Sequence, residues 1–127
     1  MNSSMENKSI VEYVAGYAVT RPHVAAVIDN ERRISYAELF ETAKRGCCFL
    51  RKAGMKRGDI LVVKASQDIK HAIIYLSAHL AGCVFTPLER STPNPSLASI
   101  AEQIGAKAVI SDDTELKKML ERCCYQP

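Results

Sequence analysis

Residues 78–90 read AHLAGCVFTPLER, and this stretch decides the class of fold. Gly82 follows a helical pattern and is typical of a helix C-cap, since glycine accepts the left-handed backbone that ends a helix. The run Val84–Thr86 predicts a strand, and Pro87 predicts its carboxyl end. Within the stretch we expect Cys83–Phe85 to be core. A helix, a buried strand and a stop packed this closely are typical of an α/β unit.

The same alternation of helices and strands continues on both sides of this stretch. From residue 60 onward the pattern is β-α-β-α-β-α, with strands that are apolar runs. Apolar runs predict strands covered on both faces, and right-handed crossovers then give a parallel sheet with helices packed on it. The predicted elements are a strand over 60–65, a helix capped by Asp68, the strand over 84–86, a helix from Pro95 that Gly105 ends, a strand over 108–110 and a last helix capped by Asp112 or Asp113.

Two capping boxes organise the first part of the chain. In this motif a serine and a glutamate three residues later satisfy each other's backbone donors at the start of a helix. The box Ser9–Glu12 predicts a helix over about 9–20, and the box Ser35–Glu38 opens a longer helix that Gly54 ends. Each box therefore marks where a helix begins.

A β-hairpin is predicted between these two helices. Residues 24–29 and 32–35 have the composition of strands, and Asn30 supplies a turn between them. The sequence therefore predicts an α/β fold in which an N-terminal helix and a β-hairpin precede a β-α-β-α-β-α parallel-sheet unit.

The length and composition of the chain are those of one globular domain. We divide the 127 residues into a flexible N-terminus (1–8), a single α/β domain (9–122) and a tail (123–127). Apolar residues make up 47% and charged residues 24%, which is typical of soluble proteins. No apolar run approaches the roughly 20 residues of a membrane span, and the first ten residues lack the apolar core of a signal peptide. These observations predict a cytoplasmic protein.

The charge of the chain is weakly positive and scattered. Seventeen basic and 14 acidic residues give a net charge of +3. The densest basic points are Arg32–Arg33 and Lys56–Arg57, and both lie beside predicted turns. Nucleic-acid binding requires a clustered basic face, so we predict solubilising surface charge and no nucleic-acid partner.

The loops after the predicted strands do not have the composition of a phosphate site. Ligands of open α/β sheets bind beyond the carboxyl ends of the strands, which here lead into 65–68, 88–91 and 111–113. None of these loops is rich in glycine, and the sequence contains neither G-x-G-x-x-G nor G-x-x-x-x-G-K-[ST]. Asp112–Asp113 fits helix capping better than an acidic phosphoacceptor pocket, because no downstream residues complete such a pocket.

Other residue types that carry chemistry are also sparse. His71 and His79 lie two turns apart on one predicted helix, without the closer spacing and third ligand of a metal site. The five cysteines contain no C-x-x-C spacing, and Cys47 and Cys83 occupy apolar positions expected in the core. Lys64 is the one polar residue in an apolar strand, and we expect it to reach solvent at the edge or end of the sheet. We therefore assign no catalytic, cofactor-binding or metal-binding residue.

Four stretches carry a family resemblance, and one of them lies within residues 78–90. They are ISYAEL at 34–39, GMKRGD at 54–59, LAGCVFTPL at 80–88 and GAKAVI at 105–110. In this order and spacing they resemble the N-terminal part of the adenylate-forming (AMP-binding) enzymes, which include acyl-CoA synthetases, luciferase and the adenylation domains of nonribosomal peptide synthetases. The resemblance covers about residues 9–113.

The sequence departs from the pattern of that family in two places. Leu80 stands where the family usually has lysine, and Glu89–Thr92 replace the common Asn/Asp-Pro. The second departure implies a local change in loop shape or specificity. The four stretches are mainly structural in the family, so they transfer no catalytic residue to this chain.

The resemblance implies an ATP-dependent acyl- or aryl-CoA synthetase, an acid–thiol ligase that adenylates a carboxylate and forms a thioester. ATP, Mg²⁺ and CoA would serve a full-length relative, and no cofactor is expected on residues 1–127. The family's phosphate loop, its adenine and ribose motifs and its catalytic lysine have no counterpart here. We therefore expect an N-terminal fragment that is inactive alone.

Two other interpretations stay open. A short non-catalytic paralogue could act as a protein-interaction module, with uncovered apolar surface that binds the remaining part of the enzyme or a second copy. An unrelated flavodoxin-like binding domain is the third interpretation. Neither involves a membrane span.

Overall fold

The structure is a computed structural model that describes residues 9–30, 32–64 and 68–111. Four helices and five strands lie within those residues. In chain order they are α1 (Ile10–Thr20), β1 (Ala25–Asp29), β2 (Arg32–Ser35), α2 (Tyr36–Lys52), β3 (Ile60–Lys64), α3 (Ile69–Ala81), β4 (Val84–Leu88), α4 (Asn94–Ile104) and β5 (Ala108–Ile110).

Both predicted capping boxes are present. At the start of α1 the Ser9 hydroxyl accepts from the Glu12 amide at 3.2 Å, and the Ser9 amide donates to the Glu12 carboxylate at 3.4 Å. Ser35 and Glu38 make the same pair of bonds at the start of α2, at 3.2 and 3.3 Å. Helix α2 ends just before Gly54, which has a φ of +97°. The serine–glutamate spacing thus located both helix starts correctly.

Strands β1 and β2 form the predicted antiparallel hairpin. Asn30 follows β1 with a φ of +45°, a left-handed conformation that asparagine tolerates better than most residues. The pairing register shifts between Ala25 and Val27. Strand β2 ends at Ser35, which is also the N-cap of α2, so the hairpin leads directly into the long helix.

The remaining strands form a parallel sheet in the order β4-β3-β5. Strand β3 lies in the middle, so the chain crosses from β3 to β4 on one side and back over β3 to β5 on the other. With right-handed crossovers, these opposite directions place α3 and α4 on opposite faces of the sheet. The predicted parallel-sheet unit is therefore confirmed up to β5; its last helix lies outside the described residues.

The register assigns each strand residue to one of the two faces. Leu61 and Val63 belong to the larger buried cluster, which α2 and α3 contribute to, and they are at most 1% exposed. Val62 points the other way and packs against Leu97 and Ala101 of α4. The sheet therefore has one face under two helices and one face under α4.

Strand β4 corrects the predicted role of Pro87. The strand was expected to stop there, but it continues through Pro87, opposite Val63, to Leu88. Proline is tolerated in a strand at the edge of a sheet, where its missing N–H breaks no pair of bonds. In the described sheet β4 is such an edge strand, pairing with β3 alone.

The burial of the sheet corrects a second expectation. Val84 was expected in the core but is 49% exposed, and Val109 of β5 is 37% exposed. Both lie on the α4 face, where Val109 pairs with the fully buried Val62 and Val84 pairs with Ile60 at the start of the central strand. Among the described residues α4 is the helix of that face, and it covers the centre and leaves the flanks open. The apolar composition of the strands was therefore a misleading sign of burial at these two positions.

Candidate functional site

The carboxyl edge of the parallel sheet is the candidate site, because open α/β sheets bind ligands there. Strands β3, β4 and β5 end at this edge with Lys64, Leu88 and Ile110. Helix α3 begins beside the end of β3, and the loop 89–93 leads from β4 to α4. The polar groups at these strand ends determine which ligands the edge can bind and which chemistry it can support.

Lys64, at the end of β3, contacts the loop after β4 and the first residue of α4. Strand alternation points its side chain to the α4 face, and its ammonium donates to the backbone carbonyl of Thr92 at 2.5 Å and to Oδ1 of Asn94 at 2.9 Å. The side chain is half-buried. The expected position at a strand end is correct, but the ammonium is bonded to protein groups as well as being near solvent.

Two carboxylates lie at the start of α3. Asp68 is the predicted N-cap, and its Oδ1 accepts from the His71 amide at 3.2 Å. Asp29, from the end of β1, accepts from the Ile69 amide at 2.8 Å. Negative charge at a helix N-terminus is favourable, so both carboxylates are held by capping. The second contact spans 40 residues of sequence, and no local pattern signals it.

The two histidines of α3 do not converge. The His71 ring packs edge-on against Phe85, with centroids 5.4 Å apart, and the His79 ring lies 4.4 Å from that of Tyr75. Nδ1 of His71 is buried with no hydrogen-bond partner among the described residues. Burial lowers the pKa of His71, and the nearby Asp68 carboxylate opposes that shift. The part of the chain that the structure describes contains no cluster of three metal-ligating side chains.

Two of the three described cysteines occupy core positions. Cys47 and Cys83 are buried, as expected, and burial raises the pKa of both thiols. A raised pKa disfavours the thiolate, which is the nucleophilic form. Cys48 is exposed on the next position of α2. The remaining pair of cysteines lies in the tail, outside the described residues.

A shallow groove of about 450 Å³ runs along the outer face of α2. Its lining is mainly charged, with an ion pair of 2.8 Å between Lys44 and Glu41. The hydrogen bond and charge of Lys44 lower the pKa of the Glu41 carboxyl. The residues that line it are Glu41, Lys44, Arg45, Cys48, Phe49 and Lys52. This is the composition of a solvated helix face and does not pair a nucleophile with a base.

The sequence stretch around Gly82 has a structural role. Gly82 has a φ of +77°, and a Cβ atom there would lie 3.0 Å from Cγ of Arg57. Its carbonyl accepts from the Gly58 amide at 2.9 Å, and the Val84 amide donates to the Asp59 carbonyl at 2.8 Å. These bonds dock the turn before β3 onto the start of β4. The glycine is therefore required by backbone conformation and by close packing.

None of the helices in the described ranges is long and apolar enough to cross a lipid bilayer.

The described edge thus holds capping carboxylates, a bonded lysine and an isolated histidine. These groups can shape and orient the edge of the sheet. In the described residues no glycine-rich turn forms a phosphate cradle there.

Comparison with known proteins gives one family for this region. The AMP-binding enzyme family matches residues 15–126. Naringenin synthase of Pestalotiopsis fici is 28% identical over 108 residues, which is 85% of this chain and 4% of that protein. Bacitracin synthase 1 of Bacillus licheniformis is 26% identical over 112 residues, 88% of this chain and 2% of that protein. The chain therefore spans a few per cent of the length of these relatives.

A solved structure shares the fold. The N-terminal subdomain of Klebsiella oxytoca NpsA, in complex with 3-hydroxyanthranilyl-AMSN, superposes with a TM-score of 0.81 at 22% identity. The match covers 94% of this chain and 32% of that one. The helix, the hairpin and the parallel sheet therefore occur together as one part of a known subdomain.

Proposed function

Because this chain belongs to the AMP-binding enzyme family, we propose that it forms the N-terminal, sheet-building part of a unit that activates a carboxylate with ATP. The observation that carries the proposal is the family match over residues 15–126, on a fold that superposes on a known N-terminal subdomain. In this role the chain supplies the β4-β3-β5 sheet and its covering helices. ATP and Mg²⁺ serve the assembled unit.

The chain alone is expected to be inactive in adenylation. Its 127 residues contain no glycine-rich phosphate loop, and the carboxyl edge of the described sheet presents capping groups instead of a phosphate cradle. Transfer of AMP to a carboxylate needs the triphosphate held and its developing charge neutralised. The described residues at the carboxyl edge of the sheet do not provide that stabilisation.

The acceptor of the activated acyl group is proposed to be a thiol. An acyl- or aryl-CoA synthetase, the finer expectation from the sequence, would use the thiol of CoA. The chain matches 2% of the length of bacitracin synthase 1, and this favours activation within a much larger synthase. The aryl group in the ligand of the NpsA subdomain supports an aryl carboxylate as the first substrate to test.

The test is ATP–pyrophosphate exchange in two proteins. The purified 127-residue chain is expected to show no carboxylate-dependent exchange with aliphatic, aryl or amino acids. The complete protein encoded by the gene is expected to exchange with a member of that panel. Exchange by the chain alone would overturn its supporting role, and a complete protein that lacks both exchange and a phosphate loop would overturn the adenylation proposal.

A second candidate function, a protein-interaction module, is favoured by the open flanks of the α4 face. Val84 and Val109 are exposed there on strands that are otherwise packed in a sheet. The occupant we propose is the remainder of the adenylating unit, since the NpsA subdomain has about two-thirds of its length beyond the matched region. In isolation the same face would favour self-association.

A further inference from the structure

Lys64 is the polar exception in an apolar strand, and nothing in the fold of the sheet requires it. Leu61, Val62 and Val63 precede it and are almost completely buried. An apolar residue at this position would continue the packing against α4. The presence of a lysine therefore calls for an explanation in terms of what its ammonium contacts.

The ammonium of Lys64 connects the sheet to the loop between β4 and α4. It donates to the Thr92 carbonyl and to the Asn94 side chain, which lie 28 and 30 residues away in sequence. Three donors on a flexible stem suit this arrangement, because a long stem lets the ammonium reach from the end of β3 to the loop. These two bonds fix both the loop and the first residue of α4.

Two backbone hydrogen bonds lie at the junction of the loop with α4. A turn bond joins the Thr92 amide to the Glu89 carbonyl at 3.0 Å, and the Leu97 amide donates to the Pro93 carbonyl at 2.9 Å. Pro93, the N-cap residue, provides no side-chain hydrogen bond to the helix. A cap of that kind normally stabilises a helix start. At α4, where the N-cap side chain makes no such bond, the bond from Lys64 to Asn94 holds the first residue of the helix.

We infer that Lys64 is a positioning residue that holds loop 89–93 and the start of α4 at the carboxyl edge of the sheet. The claim that this edge faces the substrates rests on the proposed function. The loop is also where the sequence departs from the family pattern, at Glu89–Thr92. Lys64 thereby sets the shape of a stretch of this edge that departs from the family pattern.

The two hydrogen bonds from Lys64 to Thr92 and Asn94 are called the clamp here. The clamp is tested first in the 127-residue chain by amide hydrogen exchange. In Lys64→Met the Thr92 and Leu97 amides are expected to exchange about tenfold faster, the effect of losing roughly one hydrogen bond to a charged group. Amides in the middle of α3 are expected to be unchanged. Lys64→Arg keeps charged donors and is expected to restore most of the protection.

Lys107→Met is the matched control. Lys107 is an exposed lysine that precedes β5 at the opposite, amino edge of the sheet, so its loss should leave the loop amides unaffected. Unchanged loop exchange in Lys64→Met would overturn the clamp. Equal acceleration throughout the chain would also overturn it, because that result indicates general destabilisation.

The positioning role is tested in the complete protein by ATP–pyrophosphate exchange. Lys64→Met is expected to raise the KM for the carboxylate or for ATP about tenfold with little change in kcat, and Lys64→Arg to return it most of the way. A looser loop with unchanged KM would overturn positioning. Absence of both exchange and a phosphate loop in the unsubstituted complete protein would overturn the proposed function, while hydrogen exchange would still decide whether Lys64 holds the loop.

Discussion

At the scale of single residues, some positions are explained by backbone conformation and packing, and others by their polar contacts. Gly82 is determined by its left-handed backbone and by the side chain of Arg57 above it. Lys64 is determined by two acceptors in a distant loop. His71 belongs to neither group, because its buried Nδ1 has no partner among the described residues while its ring packs on Phe85. Its protonation is therefore expected to affect stability.

We predict that protonation of His71 destabilises the fold in mild acid. Burial lowers its pKa in the folded state below the ordinary value of 6.5, so the unfolded chain binds the proton first as the pH falls. The contribution of this residue to stability is complete above about pH 6.5 and decreases below it. Urea unfolding at pH 7.5 and 5.5 should show a smaller pH effect in His71→Phe than in the wild type.

The matched control for this measurement is His79→Phe, on the same helix and also beside an aromatic ring. This variant removes a histidine but leaves the buried Nδ1 of His71 in place, so the prediction requires a larger reduction of the pH effect in His71→Phe than in His79→Phe. An identical pH dependence in His71→Phe and the wild type would contradict the prediction, since the carboxylates common to both would then account for all of it.

At the scale of elements, the two helices that begin with a capping box, α1 and α2, differ in how many residues they bury in the core. Helix α2 buries six residues and donates from Arg51 to the Leu80 carbonyl at the end of α3, at 3.3 Å. Helix α1 buries Val14 alone among its described residues. The same capping box therefore begins one helix that is integral to the fold and another that lies on its surface.

We predict that Ser35→Ala lowers the free energy of unfolding by about 1 kcal/mol, the usual effect of losing an N-cap. Its hydroxyl accepts from the Glu38 amide and also donates to the Glu38 carboxylate at 2.9 Å. Ser9→Ala removes the corresponding cap from α1 and serves as the control. Because α1 can fray without exposing much core, its effect on global urea unfolding should be smaller. Equal effects would show that α1 unfolds together with α2.

At the scale of the whole molecule, the parallel sheet is asymmetric. The face under α2 and α3 is closed by the larger cluster, whereas α4 leaves apolar flanks exposed on the other face. Exposed apolar residues on edge strands favour association with another surface. The proposed role as one part of a larger adenylating unit accounts for a face that this part alone does not cover.

We predict that the isolated chain self-associates through this face. Light scattering over a series of concentrations should show association in the wild type and its loss in the double variant Val84→Lys, Val109→Lys, because charge at the flanks opposes apolar contact. Val19→Lys, at a position 81% exposed on α1, is the control. If that control abolishes association equally, added net charge rather than the α4 face is responsible.

The sequence by itself determined the elements and their order. Capping boxes at Ser9 and Ser35, the cap at Asp68 and the glycine ends at Gly82 and Gly105 are local signals, since each depends on residues within one turn. Apolar runs located the strands, and crossover handedness then implied a parallel sheet. The structure agrees with each of these inferences over the residues that it describes.

Only the tertiary structure decided what the residues of the candidate site contact. Asp29 caps α3 from 40 residues away, and Lys64 holds a loop about 30 residues away. Val84 and Val109 are exposed although their strands are apolar, because burial depends on which helix lies above a position. Sequence periodicity reports the preferences of neighbouring residues. Contacts between distant segments, and the surfaces that they leave open, arise only when the packed arrangement of those segments is complete.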